Sequence, residues 1–107
     1  MRKPKTLVLD VKKLSKFGEK KPRRKLLWKG EAARITLIGI KPGQQIDPHD
    51  HDGVHIWMVV EGAGKFLAEG KRPMAIGPGQ IFVVPAGEHH GIRNDARKNL
   101  VLASISA

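Results

Sequence analysis

The chain predicts an all-β domain, an antiparallel sandwich or barrel. Short apolar or β-branched runs recur at roughly 8–12-residue spacing, and turn clusters separate them. No helical period outlasts two turns, and there is no internal repeat. With 107 residues and 40% hydrophobic content, one domain with one modest core is expected.

Residues 6–11 (TLVLDV) are the first strand candidate, followed by the polar stretch KKLSKFGEKKPRRK. Residues 26–28 could open a second strand. From residue 33 the pattern is regular: ARITLIGI, HIWMVVEG, GKFLAEG, RPMAIG, IFVVP and NLVLASIS. The separators KPGQQ, EGAGK, EGKRP, GPGQ, PAGE and NDARKN are rich in Gly, Pro, Asn and Asp. Gly62 to Gly64 and Glu69-Gly70 have hairpin-turn chemistry. GPG at 77–79 and PAG at 85–87 fix both ends of a strand over 81–84.

Charge is divided sharply. Residues 1–29 hold twelve Lys/Arg against two acids, so the whole formal charge of +10 lies there. Residues 30–107 hold eight of each sign. The reading is a basic N-terminal arm over 1–29, with one strand candidate, and a neutral barrel over 30–107. Phosphate attraction alone reads no sequence, and the arm lacks helix-turn-helix or zinc-finger spacing, so nucleic acid is a poor partner. A solvated arm, or one pairing with a neighbouring subunit in a homodimer, fits better. There is no cysteine, which excludes disulfides, thiolate metal sites and cysteine nucleophiles. The opening MRKPKTLVLD lacks an apolar signal region, and no run approaches a membrane span. A cytoplasmic protein is expected.

The histidines point to function. There are five, in two clusters: His49, His51 and His55, all of one parity, and the adjacent pair His89 and His90. In an extended chain, His49 and His51 project together, about 7 Å apart at Cα. Regular geometry would carry His55 about 13 Å further on, but Asp52-Gly53 can turn it back. A ligand from another strand, His90 or His89, would then close a metal site. Imidazole suits zinc, copper, iron, nickel and manganese. Solvated loop histidines are the plainer alternative, and the second cluster argues against it.

Two gapped patterns make the chain resemble the cupin family. Gly43, QQIDP, His49-Asp50-His51, DGV, His55, IWMVVE and Gly62 follow the first cupin motif. Gly79, QIFVV, Pro85-Ala86-Gly87, EH, His90, GIR and Asn94 follow the second. The resemblance implies a double-stranded β-helix, the jelly-roll barrel, with one divalent metal in its mouth. It assigns His49, His51, His55 and His90 as ligands, with manganese, iron, nickel, copper or zinc all fitting. His55 stands where the family usually has glutamate, so four neutral imidazoles would leave the full charge of the ion. An anionic or chelating oxygen ligand should be favoured in its open positions. His89 reads as solvated or supporting.

By parity Trp57 and Val59 share the face of His55, and Ile92 that of His90. Leu102 and Ser104 share a face of the last strand. Trp57, Ile92, Leu102 and Ser104 are therefore candidates to line a pocket, with Trp57, Ile92 and Met58 read first as core. Asp50 and Asp52 read as solvated, or as orienting a ligand through a hydrogen bond. No tyrosine exists, and no lysine or carboxylate of the right parity stands beside the ligands, which disfavours epimerase or isomerase chemistry. The leading expectation is a metal-dependent, dioxygenase-type enzyme on a small chelating substrate. A non-enzymatic metal or small-molecule binding cupin is the alternative.

Overall fold

The computed structural model describes residues 6–49, 53–68 and 70–107. Among these residues one short helix, α1 (Val11–Leu14), precedes nine strands. They are β1 (Arg23–Lys29), β2 (Arg34–Ile40), β3 (Gln45–His49), β4 (His55–Glu61), β5 (Gly64–Ala68), β6 (Met74–Ile76), β7 (Ile81–Val84), β8 (His90–Arg93) and β9 (Leu100–Ser106). A five-stranded sheet runs β1-β2-β9-β4-β7 and a four-stranded sheet β3-β8-β5-β6. Neighbouring strands pair antiparallel. This is the expected double-stranded β-helix.

The core lies between the two inner faces. Ile38, Ile40, Trp57, Val59, Leu100 and Leu102 come from the larger sheet, and Ile46, Phe66, Ile76 and Ile92 from the smaller. Period-two alternation fixes which residues enter. On β4, His55, Trp57 and Val59 are buried while Met58 is 38% exposed. Met58 is therefore not core: its parity puts it on the outer face, beside Ile81 and across from Ala103.

The arm departs from expectation at both ends. Residues 6–10 have no regular structure, and residue 11 begins α1 rather than ending a strand. Asp10 caps that helical turn, its carboxylate accepting from the Lys13 N–H at 3.3 Å, which diverts the backbone from extended pairing. At the other end β1, seven residues of the supposed arm, is the edge strand of the larger sheet. Its four basic residues suit an edge, where charge discourages unwanted pairing. In between, the arm lies on its own barrel. A Cβ at Gly39 would collide with the Lys16 carbonyl and the Phe17 ring, so only glycine lets the chain cross the outer face of β2 there. The Gln44 side-chain amide donates to the Gly18 carbonyl at 2.8 Å and ties the crossing down.

Candidate metal centre

Two strands that the apolar pattern did not announce, β3 and β8, carry two of the histidines. β3 contains Pro48, a residue tolerated on an edge strand where its missing N–H removes no ladder bond. The β3–β8 register shifts between Ile46 and His49, so the strand is bulged at Asp47-Pro48. Gly91 on β8 makes the close approach possible. A Cβ there would meet the Ile46 carbonyl, the Pro48 nitrogen at 2.7 Å and the Asp47 carbonyl carbon at 2.8 Å. The outcome is that His49 and His90 face one another as Cα partners.

His90 is the hub. Its ring stacks on that of His49, with centroids 5.3 Å apart and planes at 30°. It meets the ring of His55 edge-on, again at 5.3 Å, with planes at 71°. Trp57 stands behind, its ring centroid 5.0 Å from that of His90. His90 and His55 are buried, at 1% and 6% exposure, and His49 is half-buried. His89 is exposed, so burial separates the adjacent pair as the motif register requires.

Hydrogen bonds orient the rings. His49 Nδ1 lies 2.9 Å from the Asp47 carbonyl and His90 Nδ1 2.8 Å from the Glu88 carbonyl. A carbonyl only accepts, so each Nδ1 carries the proton, and the neutral ring has its lone pair at Nε2. His55 differs: its Nε2 lies 3.1 Å from Ser106 Oγ on β9. The other ring nitrogens, His90 Nε2 and His55 Nδ1, are buried. Ligating histidines characteristically hold their second nitrogen in such a bond.

The two histidine pairs through His90 have a spacing compatible with one ion. Two imidazoles binding one ion at about 2.0–2.1 Å bring their ring centroids to about 5 Å apart. Both pairs through His90 stand at 5.3 Å. Among the described residues no three His, Cys, Asp or Glu side chains form a group that could hold an ion. His51, Asp50 and Asp52 lie outside the described residues.

The pocket-lining candidates fall elsewhere. Trp57, Ile92 and Leu102 belong to the packed core, and buried Ser104 accepts from the Trp57 indole N–H at 3.0 Å. A cavity of about 380 Å³ instead opens beside His55, lined by Lys29, Glu31, Arg34, Gly53 and Ser106 among others. Ser106 was missed because parity cannot choose between Ser104 and Ser106. Only the cross-strand register does. Asn94, which closes the second motif, is structural: its amide donates to the Ile40 and Lys98 carbonyls at 2.9 and 2.8 Å.

Residues 36–106 match the protein-family model described as the Cupin domain. The chain belongs to the cupin family. This cupin is similar to a protein with a double-stranded β-helix domain from Klebsiella pneumoniae, at TM-score 0.90 and 20% identity, over 96% of this chain and 90% of that one. It is similar to TT1209 from Thermus thermophilus at TM-score 0.86 and 26% identity, over 94% and 95% of the two chains. It also resembles the polyketide cyclase RemF from Streptomyces resistomycificus, at TM-score 0.75 and 22% identity, over 81% of this chain and 65% of that one. No curated protein matches the cupin. None of its helices among the described residues is long and apolar enough to cross a membrane.

Proposed function

We propose that this cupin binds one divalent transition metal through His49, His51, His55 and His90, and is a metal-dependent, dioxygenase-type enzyme acting on a small chelating organic substrate. One observation carries the reading: His90 stands 5.3 Å from both His49 and His55, with a hydrogen bond orienting each ring. A bound ion of this class supplies Lewis-acid or one-electron redox chemistry. The chain does the rest. The Asp47 and Glu88 carbonyls hold protons on the Nδ1 atoms, so the lone pairs of His49 and His90 lie at Nε2. Trp57, Phe66 and their neighbours form a dry floor behind His90. Four neutral imidazoles bring no negative charge, so an anionic oxygen ligand is favoured.

Elemental analysis of the purified protein, then oxygen uptake with diketones, catechols and flavonols, tests this. Stoichiometric metal with uptake on one substrate class is the expected result. Metal without uptake favours binding or sensing without turnover, and absence of metal removes both readings.

The same proposal includes a homodimer. Met58, Ile81 and Val83 are 38%, 61% and 67% exposed on the outer face of β4 and β7, and β7 is an edge strand. Leu7 and Val8 in the arm are 60% and 92% exposed. A second copy would cover such apolar surface and edge. Light scattering at micromolar concentration should give twice the chain mass, and a monomer mass rules the dimer out.

A further inference from the structure

The last cross-strand row at the mouth of the larger sheet is polar over four of its five strands and ends on Val84 of β7. Lys29 on β1 pairs with Arg34 on β2, Arg34 with Ser106 on β9, and Ser106 with His55 on β4. Directly paired residues in an antiparallel sheet point to the same face, with Cβ atoms about 4.5–5.5 Å apart. The row therefore sets two cations, a hydroxyl and an imidazole side by side, and all four line the cavity of about 380 Å³. Strand spacing puts Arg34 about 10 Å from the His55 strand. Among the described residues of the lining Glu31 is the one acidic side chain, so the two cations outnumber it there.

We infer that this cavity is a carboxylate subsite: Arg34 and Lys29 hold an anionic head of the ligand while its other end reaches the histidines, and Ser106 positions His55 between them. The inference rests on the metal reading proposed above and adds a substrate class to it, small organic acids bearing a carboxylate besides the chelating group. Arg34 suits the task because a guanidinium can grip a carboxylate with two parallel N–H bonds. Ser106 is the shared element. The carbonyls behind His49 and His90 only accept, but a hydroxyl both accepts and donates. Ser106 Oγ can thus accept from His55 Nε2–H and donate into the cavity, holding the His55 proton at Nε2. That orientation leaves the Nδ1 lone pair for the ion.

Calorimetric titration of the full-length, metal-loaded protein with succinate tests the subsite, with metal content measured in every sample. A Lys29→Gln/Arg34→Gln variant should bind succinate at least tenfold more weakly with its metal content unchanged. Its affinity should also ignore ionic strength, where that of the wild type falls with added salt. Equal succinate affinity in the two proteins overturns the subsite while leaving the metal reading intact. Absence of metal from the wild type overturns the metal reading itself. Ser106→Ala should lower metal affinity about tenfold, the scale for losing a ligand-orienting partner, and Ser106→Thr should restore it. Unchanged metal affinity in Ser106→Ala overturns the positioning role.

Discussion

Two neighbouring rows on the inner face of the larger sheet use one residue type in two ways. In the row through Ser104, the hydroxyl accepts from the Trp57 indole at 3.0 Å, and both side chains are buried. Two residues on, the hydroxyl of Ser106 meets His55 at 3.1 Å and borders the open cavity. The first serine closes the core by satisfying a buried donor. The second stands where β2, β4 and β9 all end, and its flanking residues are Arg34 and His55 rather than Thr36 and Trp57. Chemistry begins at the row where strand ends admit water and ligand.

The largest effect should come from removing two of the proposed ligands. On the four-histidine proposal a His51→Ala/His90→Ala variant lacks two of the four metal bonds and should retain no stoichiometric metal by elemental analysis. Stoichiometric metal in that variant would end the four-histidine reading. The closed row should respond in stability instead. Trp57→Ala empties the largest core position and should cost about 3–5 kcal/mol in denaturant unfolding. A loss under about 1 kcal/mol would mean that the two rows do not divide the work as described.

His55→Glu sharpens the comparison without emptying the row. Glutamate is a competent oxygen ligand for the same ions, so metal should be kept. The added negative charge should weaken an anionic chelator several-fold and shift the reduction potential of a redox-active ion downward. Equal or tighter chelator binding in the variant would show that His55 does not set the charge of the site. The smallest effect is expected at His89, which is exposed. His89→Ala should leave metal content unchanged, and its loss would give that residue a role that its placement does not.

Much of this was legible in the sequence because it rests on period and spacing. The apolar runs became strands, and of the adjacent pair the two gapped motifs picked His90, which is buried where His89 is exposed. β3 and β8 were hidden because Pro48 and Gly91 argue locally against strands, and both are explained only by a partner backbone. Residues 6–11 looked like a strand by composition, but Asp10 offered its carboxylate to the Lys13 N–H. Lys29 was read only as part of a solvated arm and Arg34 drew no reading, because their relation to His55 runs across strands and through no sequence interval.

The packing of Gly91 against Ile46, Asp47 and Pro48 is main chain on glycine, with no side chain between. The backbone separation that sets His49 opposite His90 is therefore fixed by main-chain contact rather than by how neighbouring side chains repack. A single methyl group at position 91 would wedge the two strands apart. For anyone redesigning the pocket, that backbone separation is a fixed gauge, and the freely variable dimension is the opposite wall, at the β1–β2 turn.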